Sequence, residues 1–395
     1  MDFSEAELIA DPHELLARLR KAGPVHRFDF MPGTDGWLIT SHDDARRALT
    51  DPRLSKAVMA TGRLGAGSSF PADLQKAISL HMLNADPPDH TRLRRLVSAA
   101  FTARRMEGLR PRIQEITDSL IAGLAGRQTA DIIDDFAFPL PFQVICELIG
   151  VPQVDRDDFR SWSNTLVGGA GGREQAFHAL TAMTAYVREL VERKRGQPDD
   201  ALLSAMIEVS DSGDRLSGDE LTSLVFLLLV AGHETTVNLI GNAMFLLLSR
   251  PDDAAALRAD ESLLPAAIEE FLRFESPVKT TTYRMATEPI TIGDVTIPAG
   301  AIVVVSLLSA NHDEGTFADA EVFDPARVDA QQHIAFGYGI HYCLGAPLAR
   351  LEGQIAIGSL LRAFPELAPA EPLTGLAWRP GILLRGLNHL PVRLS

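Results

Sequence analysis

The sequence predicts a mainly α-helical protein with small β-sheets, folded as one large domain over residues 1–395. Three observations carry this. The longest helical pattern, over residues 216–249, is also the most apolar part of the chain. Most of the β-branched runs broken by Pro and Gly fall within residues 277–309. Neither a linker nor an internal repeat interrupts the chain. Length alone would allow two or three domains. A content of 46% hydrophobic and 23% charged residues excludes disorder and collagen-like repeats for the bulk of the chain.

The elements follow in order. Short amphipathic helices are expected over 11–20 and 43–49, and longer ones over 91–105 and 111–124. Residues 139–149 are mostly apolar and end at Gly150 ahead of Pro152. Helices over 155–167 and 175–195 flank Gly168-Gly169-Ala170-Gly171-Gly172, which reads as a surface loop or as a mobile lid over a site. At the start of 216–249, Ser217 and Glu220 have the spacing of a capping box. Arg250-Pro251 ends that helix. Another helix spans 263–274 and stops at Ser276-Pro277. Residues 290–292, 295–297 and 302–305 read as short strands. A loop runs from Asn311 to about Phe336, followed by a helix from about Leu344 to Phe364. Strand signals close the chain at 381–384 and 390–393.

The charge balance narrows the function. With 37 basic and 52 acidic residues the net charge is −15, which argues against a protein that coats nucleic acid. The N-terminus lacks the basic start and apolar run of a signal peptide. The most apolar stretch, 224–232, is shorter than the ~20 residues of a membrane span. A soluble, cytoplasmic protein that meets no membrane is expected. Two cysteines exclude a disulfide scaffold and disfavour a zinc or iron–sulfur cluster. Cys146 lies in an apolar helix and reads as a buried packing thiol. Cys343 lies in Phe336-Gly-Tyr-Gly-Ile-His-Tyr-Cys-Leu-Gly345, where glycines allow a tight turn and a close approach. It is expected at a helix start, which stabilises a thiolate. Local physics therefore points to a bound, ionised sulfur, the alternative being an incidental cysteine.

This segment resembles the haem-binding loop of the cytochrome P450 monooxygenases through Phe336, Gly339, His341, Cys343 and Gly345. Three further segments match the family in order. Glu270 and Arg273, three apart on a helix, are by themselves compatible with a surface ion pair. The resemblance implies instead a buried pair, joined by Arg327, that fixes the haem-binding fold. Ala231-Gly232-His233-Glu234-Thr235-Thr236 sits midway along the longest helix. Val237 stands where the zinc motif HExxH needs its second His. A kinked core helix is one reading of the segment. The resemblance reads Gly232 as room for haem and dioxygen, places Ala231 among the cofactor-binding residues, and reads Thr235 with Glu234 as the alcohol–acid pair that manages protons. His90 and Arg94, four apart, suit either solvent or an anionic partner. By resemblance they meet the haem propionates together with Arg284 and His341, while Phe336, Gly337 and Gly345 complete the cofactor loop.

What the resemblance implies is a cytochrome P450-like fold with haem b held between the central helix and the cysteine loop. Cys343 would be the axial thiolate, which favours O–O cleavage. The substrate pocket would be lined by Met82, Leu83, Leu166, Val167, Val230, Ala231, Val278, Thr281, Ile382 and Leu383, all apolar or small, suiting a bulky apolar ligand. A macrolide, polyketide or other secondary metabolite is expected, hydroxylated or epoxidised with dioxygen. Phenol coupling or desaturation is the alternative chemistry, and a non-catalytic haem sensor the alternative class. His312 stands where the bacterial family usually shows Arg, which bears only on local packing. No Rossmann glycine fingerprint or fused reductase is present, so a ferredoxin and its reductase are the expected electron source for a monomeric enzyme. Residues 91–112 hold seven arginines (92, 94, 95, 104, 105, 110, 112) against one acid, Glu107. This basic stretch could steer an acidic ferredoxin, or some of its arginines could serve propionates and internal pairs.

Overall fold

The computed structural model describes residues 7–8, 12–31, 34–57, 71–168, 172–212 and 216–395. The chain divides into two compact units. One comprises Met1–Ser55, Arg110–Pro139 and Thr235–Ser395; the other comprises Lys56–Leu109 and Leu140–Glu234. The division falls inside the long helix Gly218–Leu248. That helix begins as the sequence indicates. Ser217 N donates to Glu220 Oε2 at 2.8 Å and Glu220 N donates back to Ser217 Oγ at 3.1 Å, a reciprocal capping box. Its apolar stretch is longer than the 224–232 run. By length and composition it is long enough to cross a membrane, but 67% of its most apolar window is buried inside the fold, as in a core helix.

The first unit is organised on a five-stranded sheet. Its strand order is Val25–Met31, Thr34–Ile39, Ile302–Val305, Arg284–Ala286, Leu54–Ser55. Val25 pairs antiparallel with Ile39, Gly36 parallel with Ile302, and Arg284 antiparallel with Val303. Gly36 is required, because a Cβ there would meet the Phe28 ring at 2.6 Å. Ile39, Ala45, Leu54, Val303, Val305 and Ile334 bury one cluster against this sheet. Ile290–Ile292 and Val295–Ile297 form a hairpin turning at Gly293. Thr129–Asp131, Pro391–Arg393 and Ala368–Pro369 form a third sheet. Helix Ala346–Ala363 packs against Arg110–Leu124 and Leu264–Phe274. The second unit is helical. Arg156–Gly168 packs on Gly172–Gly196, and Leu202–Ser212 packs on both Gly172–Gly196 and Asp89–Ala100.

Several boundaries differ from the sequence reading. The strands over 25–39 were not expected, because charged residues and a glycine interrupt their apolar alternation. The expected strand at 381–384 is reduced to one bridge between Val278 and Leu384. The last long helix starts at Ala346, not Leu344, with Gly345 at its N-cap. Cys343 therefore lies in the loop before the helix rather than at its first turn. Of the glycine-rich segment, Gly168 ends one helix and Gly172 begins the next; residues 169–171 lie outside the described residues.

Candidate active site

The two cysteines have opposite surroundings. Cys146 is fully buried, and burial pushes its thiol up to about 12, which leaves it inert. Cys343 is exposed. Its loop is shaped by Gly337 and Gly339, at φ +74° and +73°, values that L side chains rarely adopt. A Cβ on Gly339 would also meet Thr50 Cγ2 at 2.9 Å and Leu49 O at 3.1 Å. Gly337 N donates to Ile334 O at 2.8 Å, Tyr342 N to Gly339 O at 3.1 Å, and Cys343 N to Phe336 O at 2.9 Å. These bonds fold the loop back on itself around the exposed Cys343. At Gly345 a Cβ would come within 3.9 Å of the Cys343 sulfur.

One charged network braces the loop, and a second holds the segment ahead of it. Arg350 donates to Glu269 through Nε at 2.7 Å and Nη2 at 2.8 Å, and its guanidinium lies 4.6 Å from the centre of the Phe336 ring. His333 Nε2 reaches Glu269 Oε2 at 3.1 Å. Burial alone would raise the Glu269 carboxyl, but the bonds from Arg350 and His333 outweigh it and hold the group at about 2. This brace was missed in the sequence. Its only local trace is the doubled acid Glu269-Glu270 in an apolar helix. In the second network Glu270 and Arg273 are both 0% exposed and bidentate, at 2.7 and 2.8 Å. Arg327 joins at 3.3 Å. Arg273 also donates to Asn311 O and Ala320 O, and Arg327 to Ala318 O, Asp319 O and Val322 O. The three residues thus gather the carbonyls of the 311–322 loop. Nearby, His312 is buried, with its ring between Glu321 and Phe274 O. Burial lowers its pKa, so its part is in packing.

The central helix opens one face. Phe226, Leu227, Val230 and Thr235 are half-buried and Ala231 is exposed, while nearly every position from Leu221 to Leu247 off this face is buried. Glu234 is 4% exposed. His233 is fully buried, with Nδ1 2.7 Å from Leu229 O and Nε2 3.0 Å from Ser163 Oγ. Gly232 is half-buried. A Cβ there would meet Ile145 Cδ1 at 2.9 Å, so this glycine also admits the helix Pro139–Ile149. Among the expected propionate partners, His90 and Arg284 are buried while Arg94 and His341 are half-buried. His90 and Arg94 belong to one unit and Arg284 and His341 to the other. Met82 is buried, Leu83 and Leu166 are half-buried, and the side chain of Val167 lies outside the described residues. Val278 and Ile382 are half-buried against core clusters. Thr281 Oγ1 accepts from Val305 N at 3.2 Å, and Leu383 is 38% exposed.

Of the two cysteines, only Cys343 is open to a ligand, and the central helix bares small and apolar side chains at mid-length. An exposed cysteine on a glycine-built loop suits a cofactor bound through a thiolate. The fold and these features define a haem-thiolate enzyme, and the comparisons name its family. The family model described as Cytochrome P450 matches residues 171–374. The chain is 53% identical over 387 residues to Cytochrome P450 107B1 of Saccharopolyspora erythraea, covering 97% of this chain and 95% of that protein. It is 44% identical over 401 residues to 6-deoxyerythronolide B hydroxylase of the same organism, covering 100% and 98%. The solved structure of the tirandamycin C-bound P450 monooxygenase TamI superposes with a TM-score of 0.92 at 47% identity, over 100% of both chains. The chain belongs to the cytochrome P450 family, in its bacterial secondary-metabolism branch. It is a monooxygenase whose cofactor is haem b ligated by a cysteine thiolate. It uses a small-molecule substrate, dioxygen and electrons from redox partners.

Proposed function

We propose that this enzyme hydroxylates an unactivated C–H bond of a bulky, largely apolar secondary metabolite of the macrolide or polyketide type. Cys343 is the thiolate ligand in this reading. The observation that carries it is the contrast between an exposed Cys343 on a glycine-built loop and a sealed Cys146. Haem ligated in this way supplies dioxygen activation, the thiolate's electron density favouring O–O cleavage.

The chain's own residues do the rest. Phe336, Gly337 and Gly345 shape the loop that presents the sulfur. His90, Arg94, Arg284 and His341 bind the cofactor's carboxylates through charge-assisted hydrogen bonds. Glu270, Arg273 and Arg327 hold the framework beneath the loop. Thr235 Oγ1 holds a proton at the open face of the helix, and the neighbouring Glu234 carboxyl, away from bulk water, replenishes it. Met82, Leu83, Leu166, Val167, Val230, Ala231, Val278, Thr281, Ile382 and Leu383 surround the substrate and exclude water. A ferredoxin, served by its reductase, delivers the electrons, and the enzyme works as a cytoplasmic monomer.

The names of two relatives support the substrate class. One acts on 6-deoxyerythronolide B and the other binds tirandamycin C. The test is a titration of the ferric enzyme with a macrolactone panel, a steroid panel and a fatty-acid panel, reading the low-to-high-spin absorbance shift. The proposal expects saturable shifts at micromolar concentration with macrolactones. Shifts confined to the steroids or fatty acids would overturn the class.

A further inference from the structure

Two buried asparagines interrupt the apolar side of the central helix just beyond Thr235. Asn238 is 2% and Asn242 1% exposed, and an amide in such surroundings is costly unless its bonds are made. The amide of Asn242 donates from Nδ2 to Glu275 O at 3.1 Å and to Arg385 O at 3.0 Å. Asn238 meets the next residue of the same segment. A Cβ on Gly386 would fall inside the van der Waals envelope of Asn238 Oδ1, so with the Asn238 amide in place only glycine fits there.

The other side of the segment is pinned as well. Lys279 N donates to Leu383 O at 2.8 Å, Arg385 N to Pro277 O at 2.9 Å, and Thr280 Oγ1 to Ile382 O at 3.0 Å. Arg385 Nε donates to Glu275 Oε1 at 2.8 Å, and its guanidinium lies 3.3 Å from the centre of the Trp378 ring. Residues 382–386 therefore have little freedom to slide. Asn238 lies three residues after Thr235, about 4.5 Å along the axis at the helical rise.

We infer that Asn238, Asn242 and Gly386 form a clamp that sets how far the Ile382–Leu383 turn stands from Thr235, and so which ligands fit beside it. They are positioning residues that act through the turn. The inference rests on the reading that Ile382 and Leu383 border the substrate.

Two ligands of the haem-loaded enzyme separate the cases. Clotrimazole ligates iron through its imidazole and fills the apolar space with its aryl rings, whereas imidazole reports access to iron alone. In Gly386→Ala the ratio of the two dissociation constants is expected to shift by about fivefold or more, roughly 1 kcal/mol. The reduced carbon monoxide spectrum should be unchanged. Adding Asn238→Ala removes the amide that the new methyl strikes, and should return the ratio to within about twofold of wild type. If Gly386→Ala does not load haem, Asn242→Ala is titrated instead and should move the same ratio. A wild-type ratio in the single variant, or a double variant no closer to wild type than the single, overturns the clamp. Leu383→Phe distinguishes the underlying reading. If it leaves clotrimazole affinity untouched, the turn does not border the ligand, and both the pocket assignment and the clamp fall.

Discussion

Cys343 and Cys146 have the same chemistry in isolation, and their surroundings alone divide them. The division was legible in the sequence, because a glycine-rich turn around one and an apolar helix around the other say which sulfur stays in the core. Glu352 was not legible. It sits nine residues beyond Cys343, fully buried, with Oε2 making no hydrogen bond among the described residues, and nothing local marks its burial. Burial raises its carboxyl to about 8. The native state thus keeps a proton that the unfolded chain releases near the ordinary glutamate value. Between those two values the native state binds more protons, so stability falls as pH rises through the window and levels off above it. Glu352→Gln removes this dependence. Urea midpoints at pH 5.5 and pH 8 should show the variant gaining on wild type at the higher pH, by an amount on the order of 1 kcal/mol or more. An offset equal at both pH values would contradict the buried neutral acid.

The central helix shows how much of an element a pattern reveals. Its capping box, length and apolar character were read correctly from spacing. The contact that Gly232 leaves room for was not, because Ile145 is distant in sequence. The same holds for the Glu269–Arg350 brace and for Asn242 with Arg385, which join residues 81 and 143 positions apart. Periodicity reports which face is apolar, not which neighbour arrives there. The strands over 25–39 escaped for a related reason, since their pairing is fixed by each other and by residues 302–305. Thr235 is the prediction that belongs to this element. Thr235→Ala should retain haem and its absorption spectrum while diverting reducing equivalents to hydrogen peroxide. Peroxide formed per reducing equivalent consumed should rise severalfold and product should fall. Coupling equal to wild type would remove Thr235 from proton handling.

Across the whole molecule the net charge of −15 conceals a basic stretch. The structure reduces its strength. Arg92 pairs with Glu220, Arg112 with Glu115, and Arg105 donates to Asp200 O. Arg110 and Arg112 belong to a different unit from Arg92, Arg94, Arg95, Arg104 and Arg105. Arg104 keeps an exposed side chain, and long-range steering needs such a charge at the surface. Arg104→Glu should slow ferredoxin-driven turnover, more at low than at high ionic strength, and leave peroxide-driven turnover within about twofold. An equal loss in both assays would place the defect in the fold rather than in electron delivery.

The central claim is that Cys343 supplies the thiolate, and the reduced carbon monoxide difference spectrum tests it most directly. Wild type and Cys146→Ala should both give the red-shifted Soret band of a thiolate-ligated haem, and Cys343→Ala should lack it. A red-shifted band that survives in Cys343→Ala, or one that disappears in Cys146→Ala, would contradict the assignment.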